Sequence, residues 1–187
     1  MCIRDRIYPY FDGIHPAYDL LPSFCDGMLQ AADTRTVIYE GGEAAYGYTK
    51  ESDFVWLKNS IRSKLKERRL SQVPGKLATN YRIAFGLFLD YQSRSCSRDD
   101  NRDGKPDNPE YCWDDNVRRG NLAANYFPPN FVNQHSPGWQ QVLTWALTHS
   151  EGLVWVYSEE GPDFWTDQDL PREYVEATRD ALGSGSR

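Results

Sequence analysis

The chain has 187 residues. That is enough for one domain with a sizeable core and too few for a complete (β/α)8 barrel, which takes about 250. Acidic residues outnumber basic ones by 27 to 21, a formal charge of −6, so a nucleic-acid partner has no electrostatic support. No run approaches the roughly 20 apolar residues of a membrane-spanning helix, so no membrane partner is expected.

Residues 1–6 look like translated adapter read-through, which predicts a chain that starts inside a longer protein. Residues 7–11 read as the end of a strand entering a turn-rich loop with Asp12, Gly13, His15 and Pro16. Asp19 caps a helix running to about residue 32, with Pro22 in its first turn. Residues 36–40 read as a strand, and a glycine-containing loop over 41–48 follows. Thr49 caps a long helix in which Phe54, Leu57, Ile61 and Leu65 recur at helical spacing. Lys58, Lys64, Lys66, Arg68 and Arg69 form its wet face, with cations near its C-terminus.

Residues 81–90 read as the next strand, and 91–129 as a long polar insertion. Ser136 and Pro137 open a helix with Trp139, Val142, Leu143 and Leu147 on one side, and Gly152 lies past its end. The apolar run 152–160 is a strand of the kind usually buried in a parallel sheet. A last helix over 171–182 carries Tyr174, Val175, Thr178 and Leu182, and 183–187 form a tail. Regular alternation of strand and helix predicts one α/β domain over 7–182, with parallel strands and right-handed crossovers.

Three expected strands end in acid, and ligands of such sheets meet the carboxyl ends of the strands. Glycoside hydrolysis needs two carboxyl groups, one protonating the leaving oxygen and one acting as nucleophile or base. Glu43 and Glu159 are the first candidate catalytic pair, with Glu40, Asp90 and Asp12 in reserve. Each has a bland alternative as a cap, an arginine partner or a solvated acid. Tyr46, Tyr48, Tyr157 and Trp165 would stack on sugar rings or orient the acids, while Asp12 and His15 would bind sugar hydroxyls. His15 alone is better explained as an ordinary hydrogen-bonding residue.

The most specific motif lies in the insertion, where residues 99–110 match Asp-x-Asn-x-Asp-Gly-x5-Glu. Ca²⁺ takes six to eight hard oxygens. Asp99, Asn101 and Asp103 offer side-chain oxygens, Lys105 a carbonyl, Asp107 a direct or water-mediated ligand, and Glu110 a bidentate carboxylate. Gly104 permits the sharp turn. Pro106 departs from the helix-flanked sensor pattern, so the loop is closer to calcium loops of extracellular modules; the alternative is a metal-free acidic loop. Cys96 and Cys112 bracket it. A disulfide there would close a loop of about 15 residues, worth about 3 kcal/mol, unless the two are unrelated thiols. Paired cysteines and such a calcium loop predict a secreted or periplasmic protein.

Four phrases carry a family resemblance: Phe11-Asp12-Gly13, Leu20-Leu21-Pro22-Ser23-Phe24, the stretch Glu40-Gly41-Gly42-Glu43-Ala44-Ala45-Tyr46-Gly47-Tyr48, and Val154-Trp155-Val156-Tyr157-Ser158-Glu159. The chain resembles the C-terminal half of uncharacterised glycoside-hydrolase-like (β/α)8 proteins of environmental bacteria. The resemblance implies the C-terminal part of a TIM barrel, incomplete at its N-terminus, carrying the calcium-loop insertion. It further implies hydrolysis of a poly- or oligosaccharide. Two rivals stand beside that reading, a non-catalytic carbohydrate-binding barrel and a calcium-organised extracellular structural module.

Overall fold

The computed structural model describes residues 21–41, 43–68, 71–89, 137–157 and 172–184. In chain order these build α1 (Leu21–Ala31), β1 (Ile38–Glu40), a 3₁₀ turn η1 (Glu43–Gly47), α2 (Glu51–Arg68), α3 (Pro74–Asn80), β2 (Tyr81–Ile83), β3 (Phe85–Phe88), α4 (Trp139–His149), β4 (Val154–Tyr157) and α5 (Arg172–Ser184). The helices start where local chemistry favours them: α2 has Glu51 and Asp53 in its first turn, and α3 has Pro74 at its start.

The strands run parallel, as expected, but they do not build a barrel. Among the described residues they form two two-stranded pairs, β1–β2 and β3–β4, with no closure. The expected partial TIM barrel is therefore corrected to a small α/β arrangement. Each observed strand supplies only three or four ladder residues. The one read as a continuous strand over 81–90 is interrupted at Ala84 and changes partner there. Closing a barrel requires a ladder that continues with fixed stagger from strand to strand, and these short ladders do not provide it.

Ala84 joins the two pairs. Its amide donates to the Glu40 carbonyl at 2.9 Å, while the carbonyl of the preceding Ile83 accepts the Glu151 amide at 2.8 Å. Successive residues of a parallel strand turn their backbone groups to opposite edges. The segment from Tyr81 to Phe88 thus has β1 along one edge of its first half and β4 along the other edge of its second half. Registers run Ile38↔Tyr81 to Glu40↔Ile83 and Phe85↔Val154 to Phe88↔Tyr157.

Side-chain alternation then sorts the faces. Ile83, Phe85, Leu87 and Leu89 enter the main core with Phe54, Leu57 and Ile61 of α2, Trp139, Val142, Leu143 and Ala146 of α4, and Tyr174, Ala177 and Ala181 of α5. Trp139 buries its ring fully and still satisfies its indole N–H on Thr178 Oγ1 at 2.9 Å, which locks α4 to α5. A smaller core gathers Cys25 and Leu29 of α1 with Tyr81, bordered by Ile38, Val73 and Leu77. Buried Asn80 ends α3 and donates to the carbonyls of Asp33 and Thr36, both at 2.7 Å, fixing the turn that enters β1.

Candidate functional site

The face turned away from the helices bears Gly86 and Phe88 of β3 and Trp155 and Tyr157 of β4. The register sets Gly86 beside Trp155 and Phe88 beside Tyr157. Tyr46, delivered by η1, closes over them. Its ring centroid lies 5.3 Å from Phe88, 5.6 Å from Trp155 in an edge-on arrangement, and 6.0 Å from Tyr157 at an interplanar angle of only 10°. Phe88 and Tyr157 are 5.2 Å apart. Such spacings are those of attractive aromatic pairs. Phe88 is buried, while Tyr46, Trp155 and Tyr157 remain half-buried.

Glycine makes the arrangement possible. A Cβ at Gly86 would stand 2.6 Å from Trp155 Cζ2 and 3.0 Å from Tyr46 Cε1. The indole lies across the strand where a side chain would otherwise stand. Its Nε1 reaches to 3.5 Å from the position a Cβ would take at Gly41, just beyond β1. Trp155 therefore spans the strands from β4 to the exit of β1. No acceptor among the described residues takes its N–H.

The expected site residues separate. Tyr46 and Tyr157 lie on this face. Tyr48 does not: it packs edge-on against Phe54 at 5.2 Å, at the margin of the helix-side core. Glu40 ends β1 on the same face as Ile38, toward α1, and burial pushes its carboxyl up to about 8. It holds no place beside the aromatic rings. Glu43 opens η1, and only its backbone is described. Asp12, His15, Asp90, Glu159 and Trp165 lie outside the described residues, as do the calcium-loop residues 99–110 and both Cys96 and Cys112. Among the described residues no cluster of three or more His, Cys, Asp or Glu side chains is placed to hold a metal. No described helix is long and apolar enough to cross a membrane.

Gly86, Phe88 and Trp155 belong to the site but escape the sequence reading. The signal was present: a glycine inside a strand-like run marks a close approach of another group.

No protein-family model matches the chain, and neither a curated protein nor a solved structure matches it.

Proposed function

We propose that this protein is carbohydrate-active: a glycoside hydrolase acting on a poly- or oligosaccharide, with the Tyr46–Trp155–Tyr157 face as its sugar platform. The observation that supports it most is the near-parallel stacking of Tyr46 on Tyr157. Tyr46 belongs to the turn that Glu43 opens, and Tyr157 precedes Glu159 by two residues in the sequence. The contact brings η1 onto the last residue of β4, and Glu43 and Glu159 are the acids next to those two tyrosines in the sequence. One of Glu43 and Glu159 would protonate the glycosidic oxygen and the other would act as nucleophile or base. The half-buried rings offer apolar faces to a pyranose, and the Trp155 N–H is available to a hydroxyl. Glu40, turned to the helix side, has no part in this pair.

The reading includes a structural Ca²⁺ in loop 99–110 and a secreted or periplasmic location, both supported by the loop spacing and its flanking cysteines.

The test is release of reducing ends from a panel of neutral and acidic polysaccharides, run beside Glu43→Gln and Glu159→Gln. Loss of a catalytic carboxyl should lower the rate by about 10²–10⁴-fold while binding persists. Activity undiminished in both variants would remove the pair. Binding without hydrolysis in the unaltered protein would favour the non-catalytic alternative, which the aromatic face supports without any acid. Neither binding nor hydrolysis across the panel would end both.

A further inference from the structure

The aromatic face continues down the strands past Trp155. Alternation puts Tyr39 of β1 on it, beside Arg82 of β2 and on the opposite side of the strand from Ile38 and Glu40. The Tyr39 hydroxyl lies 3.2 Å from the position a Cβ would take at Gly152, the residue whose φ of +110° turns the chain toward β4. Tyr39 thus reaches from β1 across the middle strand toward β4. Trp155 reaches the other way, from β4 to Gly41 at the exit of β1. Two aromatic side chains cross one strand in opposite directions, each ending over a glycine. Tyr39 is 37% exposed, and no described residue bonds its hydroxyl.

The row is long and carries little charge. Arg82 stands opposite Tyr39 and Phe88 opposite Tyr157. From Arg82 to Phe88 the strand covers roughly 20 Å at about 3.3 Å per residue, more than one sugar ring occupies. Among the described strand residues Arg82 is the only charge on this face, and its guanidinium already donates to the Tyr81 carbonyl at 2.9 Å. The polar atoms on offer are a phenol hydroxyl and an indole N–H, both suited to sugar hydroxyls. An anionic polymer would find no uncommitted cation on these strands, in a chain of formal charge −6. We propose, on the carbohydrate reading above, that the ligand of this face is a neutral, extended glycan chain lying along the strands, with Tyr39 as its contact furthest from the Tyr46–Tyr157 pair.

Calorimetric titration with β-1,4-linked oligomers of glucose, xylose and mannose, dimer to hexamer, tests this beside oligogalacturonides of the same lengths. In a neutral series the hexamer should bind the unaltered protein about tenfold more tightly than the dimer. Tyr39→Ala should weaken the hexamer about three- to tenfold and leave the dimer unchanged, because the dimer needs only the Tyr46–Tyr157 end. Tyr39→Phe, which keeps the ring, should bind the hexamer nearly as the unaltered protein does. Equal affinity for dimer and hexamer in the unaltered protein would overturn the extended chain without any variant. A hexamer indifferent to Tyr39→Ala, or dimer and hexamer weakened alike, would overturn the part given to Tyr39. Tighter binding of oligogalacturonides than of every neutral series would overturn neutrality. In each of these cases a sugar still binds, and the carbohydrate reading stands. No oligomer bound, with hydrolysis of a polysaccharide retained, would overturn this inference alone; neither binding nor hydrolysis would end both.

Discussion

The indole of Trp155 fills the space that a side chain at Gly86 would need, with 2.6 Å between Trp155 Cζ2 and the site of the missing Cβ. Two residues paired across a parallel ladder thus determine one another: β3 must be bare where β4 is largest. Gly86→Ala should displace the ring, cost about 1–3 kcal/mol in urea unfolding and weaken any sugar binding. In a Trp155→Ala background the same change should be nearly neutral, because the clash is gone. A double-mutant cycle showing no coupling between the two would mean that the ring does not rest on Gly86.

The opposite end of the strands is held by charge. Glu151 precedes β4 and takes the Ile83 amide at 3.0 Å, the Arg62 guanidinium, and Lys58 at 3.9 Å. Burial works to raise its carboxyl, but the Ile83 amide and the Arg62 partner outweigh that and hold it below 4.5. A depressed acid contributes stability above its unfolded value and loses it as pH falls through the folded one. Glu151→Gln should therefore cost about 1–2 kcal/mol at pH 7 and much less at pH 3. Denaturant midpoints at the two pH values would check this; an equal loss at both would assign the effect to packing instead.

The joint between α4 and α5 depends on small residues. Ala146, Ala177 and Ala181 are buried there, whereas Leu182 is 53% exposed. Ala181→Leu should destabilise by about 1–3 kcal/mol through overpacking, and Leu182→Ala should stay within about 0.5 kcal/mol. Thermal melts of the two variants would separate them; a larger loss at Leu182 would reverse the assignment of the helix face.

That pair of residues also shows where sequence reading succeeds and stops. The 3.6-residue recurrence locates α2 and α4, and Phe54, Leu57, Ile61, Trp139, Val142 and Leu143 are all buried as it requires. In α5 the same reading favours Leu182, because periodicity weighs large apolar side chains. The close approach of α4 selects Ala177 and Ala181 instead, beside Tyr174 and Thr178, which the reading did name. Helix α3 is short and has little apolar periodicity, so only Pro74 announces it. The interruption at Ala84 is set by partners on opposite edges of one strand, which no local pattern encodes. Among the site residues, Tyr46 and Tyr157 were legible as aromatics near strand ends. Glu40 was legible as a strand-end acid, where β1 does end, but not as one on the helix side, because its face is set by its pairing beside Ile83 and not by where the strand stops.

Calcium is the remaining test, resting on the residue pattern of 99–110. Asp99, Asp100, Asp103, Asp107 and Glu110 stand within twelve positions against only Arg102 and Lys105. Without a cation these carboxylates repel one another; Ca²⁺ removes that repulsion and supplies a centre for the loop to fold around. Loops of this extracellular kind bind at about 10⁻⁴–10⁻³ M, so millimolar calcium should raise Tm by binding the folded state preferentially. Magnesium should act less well, because its smaller octahedral shell fits such a loop poorly. Asp99→Ala and Glu110→Ala should each abolish the calcium response while leaving the unliganded melt nearly unchanged, since each removes one like charge from a crowded acidic loop. Identical melting curves in EDTA and in excess calcium would exclude the metal. The Cys96–Cys112 pair would then stand or fall separately, on mass spectrometry of the unreduced protein.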